Sequence, residues 1–268
     1  MKFKPLASSS KGNAYLVEDA QSRLLVDCGL AFRTMQKAAG FGLNELDGVL
    51  VTHEHKDHSR CVAELIKRSL TVYMSAGTAL ALGLAEEKPL ELLAQDGTPL
   101  IRPFGAPSPE WEGCVAVISD PRVMLVEDRE QFRIGSFDVV AFATYHDAAE
   151  PLGYLIRSRV DGDVTVIATD TVNLRYRFPG LRILGIEANY QESFLERAQR
   201  LPDSTKHRIR NTHMEIDTLC DILAGMDLRQ CREIWLLHLS DAMSHEGQFI
   251  HKVERVVPPW VTVRAAGR

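Results

Sequence analysis

Apolar residues recur along this chain in short runs that stop at polar clusters. Val49-Leu50-Val51 leads into Thr52-His53-Glu54-His55-Lys56-Asp57-His58. A short apolar run bounded by a turn signal predicts a buried strand, so this cluster lies where the chain leaves a sheet. In layered α/β structures, sites gather at that edge. The pattern returns at Val139–Phe142 before Tyr145-His146-Asp147, at Val164–Ala168 before Thr169-Asp170, at Ile183–Ile186 before Glu187-Ala188-Asn189, and at Ile234–Leu237 before His238. Five predicted strands therefore end in His, Asp or Glu.

The intervening segments predict a layered α/β arrangement of alternating strands and helices. Ala14–Val17 and Arg23–Gly29 read as a hairpin across Glu18–Ser22, preceded by a turn-rich loop at Leu6–Asn13. Residues 31–47 hold a helix stopped by Gly40, Ser59–Leu70 and Thr78–Ala85 are helical, and Thr71–Met74 is a strand. Asp161-Gly162-Asp163 turns a hairpin between the apolar runs that flank it. A charged helical stretch runs through Arg197–Arg210. A helix at Ile216–Ala224 follows, capped by Asp217, Thr218 or the residues before them. The tail at 256–263 reads as an edge strand limited by Pro258-Pro259. Residues 86–134, punctuated by proline, read as irregular connections or a small insertion, with Trp111 as a packing residue.

Composition narrows the classes. With 268 residues, 45% hydrophobic and 25% charged, the chain is ordinary globular material with length for a large core. A net charge of −5 excludes a strongly basic surface on average and leaves room for a local patch. No apolar run approaches the roughly 18 residues of a membrane span. Met1-Lys2-Phe3-Lys4-Pro5 lacks the apolar segment of a secretory signal. Cys28, Cys61, Cys114, Cys220 and Cys231 are scattered without a CxxC, as in reduced cytosolic thiols, so a cytoplasmic protein is expected.

Neutral imidazole and ionised carboxylate are the side chains that hold zinc, manganese or iron. Thr52-His53-x-His55-x-Asp57-His58 resembles the signature of the metallo-β-lactamase-fold hydrolases. The Ser-rich loop Ser8-Ser9-Ser10 with Gly12-Asn13 resembles the opening of their YycJ/WalJ-like branch, which is similar to nucleases. The resemblance implies a four-layer αββα sandwich forming a single domain over residues 1–268. It implies two divalent metal ions, Zn2+ or Mn2+ with iron an option. One is held by His53, His55 and His146, the other by Asp57, His58 and His238, and Asp170 bridges them. Asp27, before Cys28-Gly29, matches the family's Asp-x-Gly strand end and reads as a hydrogen-bonding residue rather than a ligand.

The implied activity is hydrolysis of DNA phosphodiester bonds by a metal-bridging hydroxide. Its alternatives are a small-molecule cyclic phosphodiesterase and a thioester or lactone hydrolase of the glyoxalase II type. Glu187-Ala188-Asn189 and Thr212-His213-Met214 resemble, in order, the Glu and His motifs of tRNA-processing members. They depart from the branch in Tyr190, Thr212 and Met214-Glu215. On that resemblance His213 is the general acid, Glu187 orients it, and Asp57 completes the catalytic set. Ser9, Ser10, Asn189, Arg208 and Arg210 are candidate substrate contacts. The basic stretch between Arg197 and Arg210 suits a phosphate backbone, with a solvated helix face as the other reading. The expected partner is nucleic acid, DNA ahead of RNA, and no membrane. The oligomeric state is left open, a homodimer among the options.

Overall fold

Strand after strand in this chain is buried on both faces, which explains why its apolar runs are continuous rather than alternating. A computed structural model describes residues 1–89 and 114–267. The first sheet contains β1 (Lys2–Ser9), β2 (Gly12–Glu18), β3 (Arg23–Val26), β4 (Gly48–Leu50), β5 (Val72–Met74) and β8 (Val123–Leu125), in that order across the sheet. The strands β6 (Ala85–Pro89) and β7 (Cys114–Ile118) pair with each other apart from it. The second sheet runs β15 (Thr262–Ala265), β14 (Glu233–Leu237), β13 (Leu181–Glu187), β12 (Val164–Ala168), β11 (Leu152–Ser158), β10 (Phe137–Ala143) and β9 (Gln131–Ile134).

Side-chain alternation assigns the layers. In β2, Tyr15 and Val17 pack with Phe137, Val139, Tyr154 and Ile167 of the second sheet, forming the core between the sheets. Ala14 and Leu16 face the other way, toward Met35 of α1 (Phe32–Ala38), Leu65 of α3 (Val62–Lys67) and Ala79 of α4 (Ala76–Ala81). The second sheet does the same. Val166 and Ile186 pack outward on Leu219 and Leu223 of α7 (Ile216–Ala224) and on Phe249 and Val253 of α8 (Glu246–Glu254). The order is helix, sheet, sheet, helix, the expected αββα sandwich. No helix of the described residues is long and apolar enough to cross a membrane.

Several elements differ from the sequence reading. The loop expected at Leu6–Asn13 is mostly strand. β1 pairs antiparallel with β2 down to Ser9 opposite Gly12, leaving a turn of Ser10 and Lys11. Pairing with a buried neighbour overrides the weak β preference of serine. The charged helical stretch is two helices, α5 (Glu192–Arg197) and α6 (Asp203–Thr212), separated by residues 198–202, with Pro202 at the N-cap of α6. The tail strand begins later, at Thr262, and α8 precedes it, its N-terminus capped by His245, whose side chain accepts from the Gln248 N–H. Within 86–134 the described residues include most of β6 and all of β7, β8 and β9, while Trp111 lies outside the described residues. Of the caps open for α7, the structure selects a residue before Asp217: Glu215 accepts from the N–H groups of Asp217 and Thr218.

The topology gathers the polar strand ends. β12, β13 and β14 are mutually parallel, so Asp170, Glu187 and His238 emerge at one edge. β10 and β12 both run antiparallel to β11, so His146 leaves at that edge too. The first sheet is tied to this edge by main chain and side chain: the Leu152 N–H donates to the Thr52 carbonyl at 2.9 Å, and the Tyr154 hydroxyl to the Val51 carbonyl at 2.7 Å. The loop after β4 enters α2 (Lys56–Ser59) by docking against the end of β3, where the Cys28 N–H donates to the His58 carbonyl at 2.7 Å.

Glycine makes that docking possible. A Cβ on Gly29 would lie 1.6 Å from the Asp57 carbonyl oxygen, a backbone atom with nowhere to yield. Gly29→Ala is therefore expected to push the His53–His58 loop off β3. The cost is about 3 kcal/mol of unfolding free energy or more, at the upper end of overpacking penalties, as measured by urea denaturation.

Candidate metal centre

Hydrogen bonds made on the far side of each imidazole decide which ring nitrogen faces the cleft. The Thr52 hydroxyl donates to the Asp27 carboxylate at 2.9 Å, so it can only accept from His53 Nδ1, 3.0 Å away. His58 Nδ1 donates to Asp27 Oδ2 at 2.7 Å, and His146 Nδ1 to the Thr212 carbonyl at 2.8 Å. In the neutral form of each ring Nε2 is then left with its lone pair, and at His58, against burial, the Asp170 and Asp27 carboxylates favour positive charge, raising it well above the ordinary imidazole range. Asp27 is fully buried and accepts from Thr52 N as well.

Two donor groups result. In the first, His53 Nε2 lies 3.1 Å from His55 Nδ1, which lies 3.3 Å from His146 Nε2. Ligands of a tetrahedral zinc at its usual bond length are spaced about 3.3 Å apart. Burial pushes His53 well below the ordinary imidazole range and lowers His146. Both shifts favour the neutral ring, and the inward-facing nitrogens of the group converge as ligands of a cation would.

The second group is Asp57, His58, Asp170 and His238. His58 Nε2 is 3.5 Å from Asp57 Oδ2 and 3.4 Å from Asp170 Oδ2, and His238 Nε2 is 3.4 Å from Asp57 Oδ2. Asp170 Oδ2 also lies 3.6 Å from His146 Nε2 and 3.9 Å from His53 Nε2, so one carboxylate oxygen faces both groups. Burial opposes charge here, yet hydrogen bonds from His238 and His58 hold the Asp57 carboxyl well below the usual carboxylate range. Against the same burial, Asp170, Asp57 and Glu187 push His238 up to about 10. These carboxylates demand positive charge beside them, and a divalent cation meets the demand without protons. Nitrogen and oxygen donors of this kind fit Zn2+, Mn2+ or iron.

Glu187 and His213 lie alongside, within reach of Asp170 and His238. His213 Nδ1 is 2.6 Å from Glu187 Oε1, too close for a cation between them and the length of a charge-assisted hydrogen bond. Fully buried, Glu187 also accepts from the Thr171 N–H at 2.7 Å, which fixes its other oxygen. Its charge raises His213 above the ordinary imidazole range, against burial. The His213 ring stacks on His238 at 5.4 Å between centroids and meets His146 edge-on at 5.1 Å.

The five candidate substrate contacts are placed unevenly. Ser9 is buried, with its carbonyl accepting from the Asn13 side chain at 3.1 Å and its hydroxyl from the Lys11 N–H, whereas Ser10 is exposed in the turn. Asn189 turns to His238, donating to its carbonyl at 2.9 Å. Arg210 is engaged by Glu192 of α5. Arg208 Nε stands 3.4 Å from Asp147 Oδ2, and the other oxygen of Asp147 is 3.2 Å from His146 Nε2, so Arg208 reaches the rim of the first group. Asp147 was missed as a site residue although it follows His146 directly. Asn13, in the stretch that resembles the branch's opening, had no assigned role because its contacts lie 44 and 45 residues away.

Residues 10–203 match the metallo-beta-lactamase superfamily. The exodeoxyribonuclease YycJ of Bacillus anthracis is 26% identical over 250 residues, spanning 90% of this chain and 83% of its own. The exodeoxyribonuclease WalJ of Streptococcus pneumoniae (strain D39) is 25% identical over 250 residues, covering 89% and 81%. The crystal structure of the metallo-beta-lactamase fold protein YhfI from Bacillus subtilis superimposes with a TM-score of 0.65 at 15% identity, over 99% of this chain and 97% of that one. With most of its length matched, and with the sandwich and strand-end donors in place, this chain belongs to the metallo-β-lactamase superfamily.

Proposed function

We propose that this chain is a metal-dependent phosphodiesterase that hydrolyses DNA, with two divalent cations as cofactors. The observation that carries the reading is Asp170, whose Oδ2 faces nitrogens of both donor groups, 3.4 Å from His58 and 3.6 Å from His146. His53, His55 and His146 would hold one ion, Asp57, His58 and His238 the other, and Asp170 both. Such a pair, when bound, polarises a phosphoryl oxygen and activates the attacking water. Relatives named exodeoxyribonucleases support DNA as the substrate, because they align over most of this chain.

The protein's own residues supply the proton. Cleavage of a phosphodiester leaves an alkoxide that must be protonated. His213 holds a proton on Nδ1 against Glu187, and its charged form carries a second on Nε2 to give away. Glu187 keeps the imidazolium populated, and the Thr171 N–H keeps Glu187 from turning. Arg208, steadied by Asp147, lies where it can meet a phosphate at the rim.

The test offers metal-loaded protein bis-p-nitrophenyl phosphate, labelled single- and double-stranded DNA, RNA and a thioester. Asp57→Ala is expected to lose one equivalent of bound metal and with it turnover of DNA. Undiminished DNA cleavage by this variant would falsify the two-cation mechanism, and turnover of the thioester alone would select a different hydrolase. His213→Ala is expected to keep its metal content and lose about 100- to 10,000-fold in kcat, the range for a missing general acid.

A pH profile checks the pairing. Because Glu187 raises His213, the imidazolium survives above its ordinary range, and the rate falls as pH rises through the raised value. Glu187→Gln removes the charge and keeps the shape. It should move the alkaline limb of the kcat profile down by about 1 to 3 pH units, the usual effect of one adjacent opposite charge. An unmoved limb assigns the titrating acid to another group.

A further inference from the structure

We propose that Asn13 is a positioning residue for the second donor group, and that the chain Ser8–Tyr15–Asn13 sets the affinity of that group for its cation without acting on the first. The proposal rests on the two-cation reading above. Asn13 is fully buried. Its Nδ2 lies 2.9 Å from His58 Nε2, 3.3 Å from Asp57 Oδ2, 3.3 Å from the Asp57 carbonyl and 3.1 Å from the Ser9 carbonyl. Two amide protons therefore face four acceptors, two of which belong to metal-facing atoms. Once His58 Nε2 gives its lone pair to a cation, the protons remain for Ser9 and Asp57, and the Asp57 carboxylate is held in place.

The amide cannot turn over. The Tyr15 hydroxyl donates to Asn13 Oδ1 at 3.1 Å, and a flipped amide would set its oxygen against the Asp57 carboxylate and the His58 lone pair. With its one proton spent on Asn13, Tyr15 accepts from the Ser8 hydroxyl, 2.8 Å away. Ser8 Oγ in turn accepts from the His238 N–H at 2.8 Å. Burial pushes the Tyr15 phenol upward, so its proton stays on at any working pH.

One directed chain thus runs from the His238 backbone through Ser8, Tyr15 and Asn13 to Asp57 and His58. It touches three members of the second group. Among the described residues, its hydrogen bonds do not extend to His53, His55 or His146. The asymmetry confines the expected effect to the second group, and Tyr15→Phe, which keeps the packing, separates hydrogen bonding from space filling.

The experiment is a calorimetric titration of metal-stripped protein with Zn2+, paired with metal analysis after dialysis, for wild type, Asn13→Ala and Tyr15→Phe. In Asn13→Ala the first equivalent should bind as in wild type. The second should bind about 10- to 100-fold more weakly, the effect typical of removing an outer hydrogen-bond partner of a metal site. Tyr15→Phe keeps the ring and removes only the hydroxyl. It should weaken the same equivalent by a smaller factor, and it carries the test alone if Asn13→Ala does not fold. Two unchanged equivalents, or both weakened alike in protein that melts normally, overturn the proposal. Uptake of a single equivalent by wild type overturns the two-cation reading itself and is recognisable as such.

Discussion

Everything at the donor cluster leans on one buried carboxylate. Asp27 accepts from the Thr52 N–H, the Thr52 hydroxyl and His58 Nδ1, all within 3.0 Å. Through Thr52 it also fixes His53, whose Nδ1 bonds the same hydroxyl. A single side chain at the end of β3 therefore orients one imidazole of each donor group. Such a carboxylate is costly to bury unless every oxygen is satisfied, and a half-satisfied one would be worse than none. These bonds fasten the loop after β4 to the end of β3.

The second constraint is that donors come from both sheets. His53, His55, Asp57 and His58 follow β4, while His146, Asp170 and His238 follow strands of the other sheet. Their separations of 3.1–3.9 Å are maintained only if the sheets keep their relative position. The inter-sheet core and the bonds from Leu152 and Tyr154 to the end of β4 provide that rigidity close to where it is needed. Packing energy and site geometry are thus the same problem at this edge.

The sequence displayed the strand-end donors because each is announced locally, by an apolar run that stops at a His, Asp or Glu. A layered α/β arrangement followed from the same runs, and the αββα order from the family resemblance. What was hidden depends on partners far along the chain. Asn13 sits in a Ser- and Gly-rich stretch that reads as a loop, and its neighbours Asp57 and His58 arrive only when the sheet forms. Arg210 pairs with Glu192, 18 residues earlier, a partner that the basic run does not announce. The α8 helix did leave a trace, Phe249 and Val253 four residues apart, which Pro258-Pro259 nearby obscured. Hydrogen-bond direction, the feature that decides which imidazole nitrogen faces inward, leaves no mark in composition or periodicity.

Backbone conformation adds a last point. Asp27, Asp170 and His238 all have positive φ, at 59°, 50° and 52°. Residues with a Cβ resist this left-handed region, at a cost of about 1–3 kcal/mol each where the surroundings enforce it. Glycine would relieve the bend at all three positions, but it has no donor atom to contribute. The chain therefore accepts a less stable backbone where a polar side chain lines the donor cluster. Any relief that glycine brought to the backbone there would be set against the buried hydrogen bonds that the missing side chain leaves unmade.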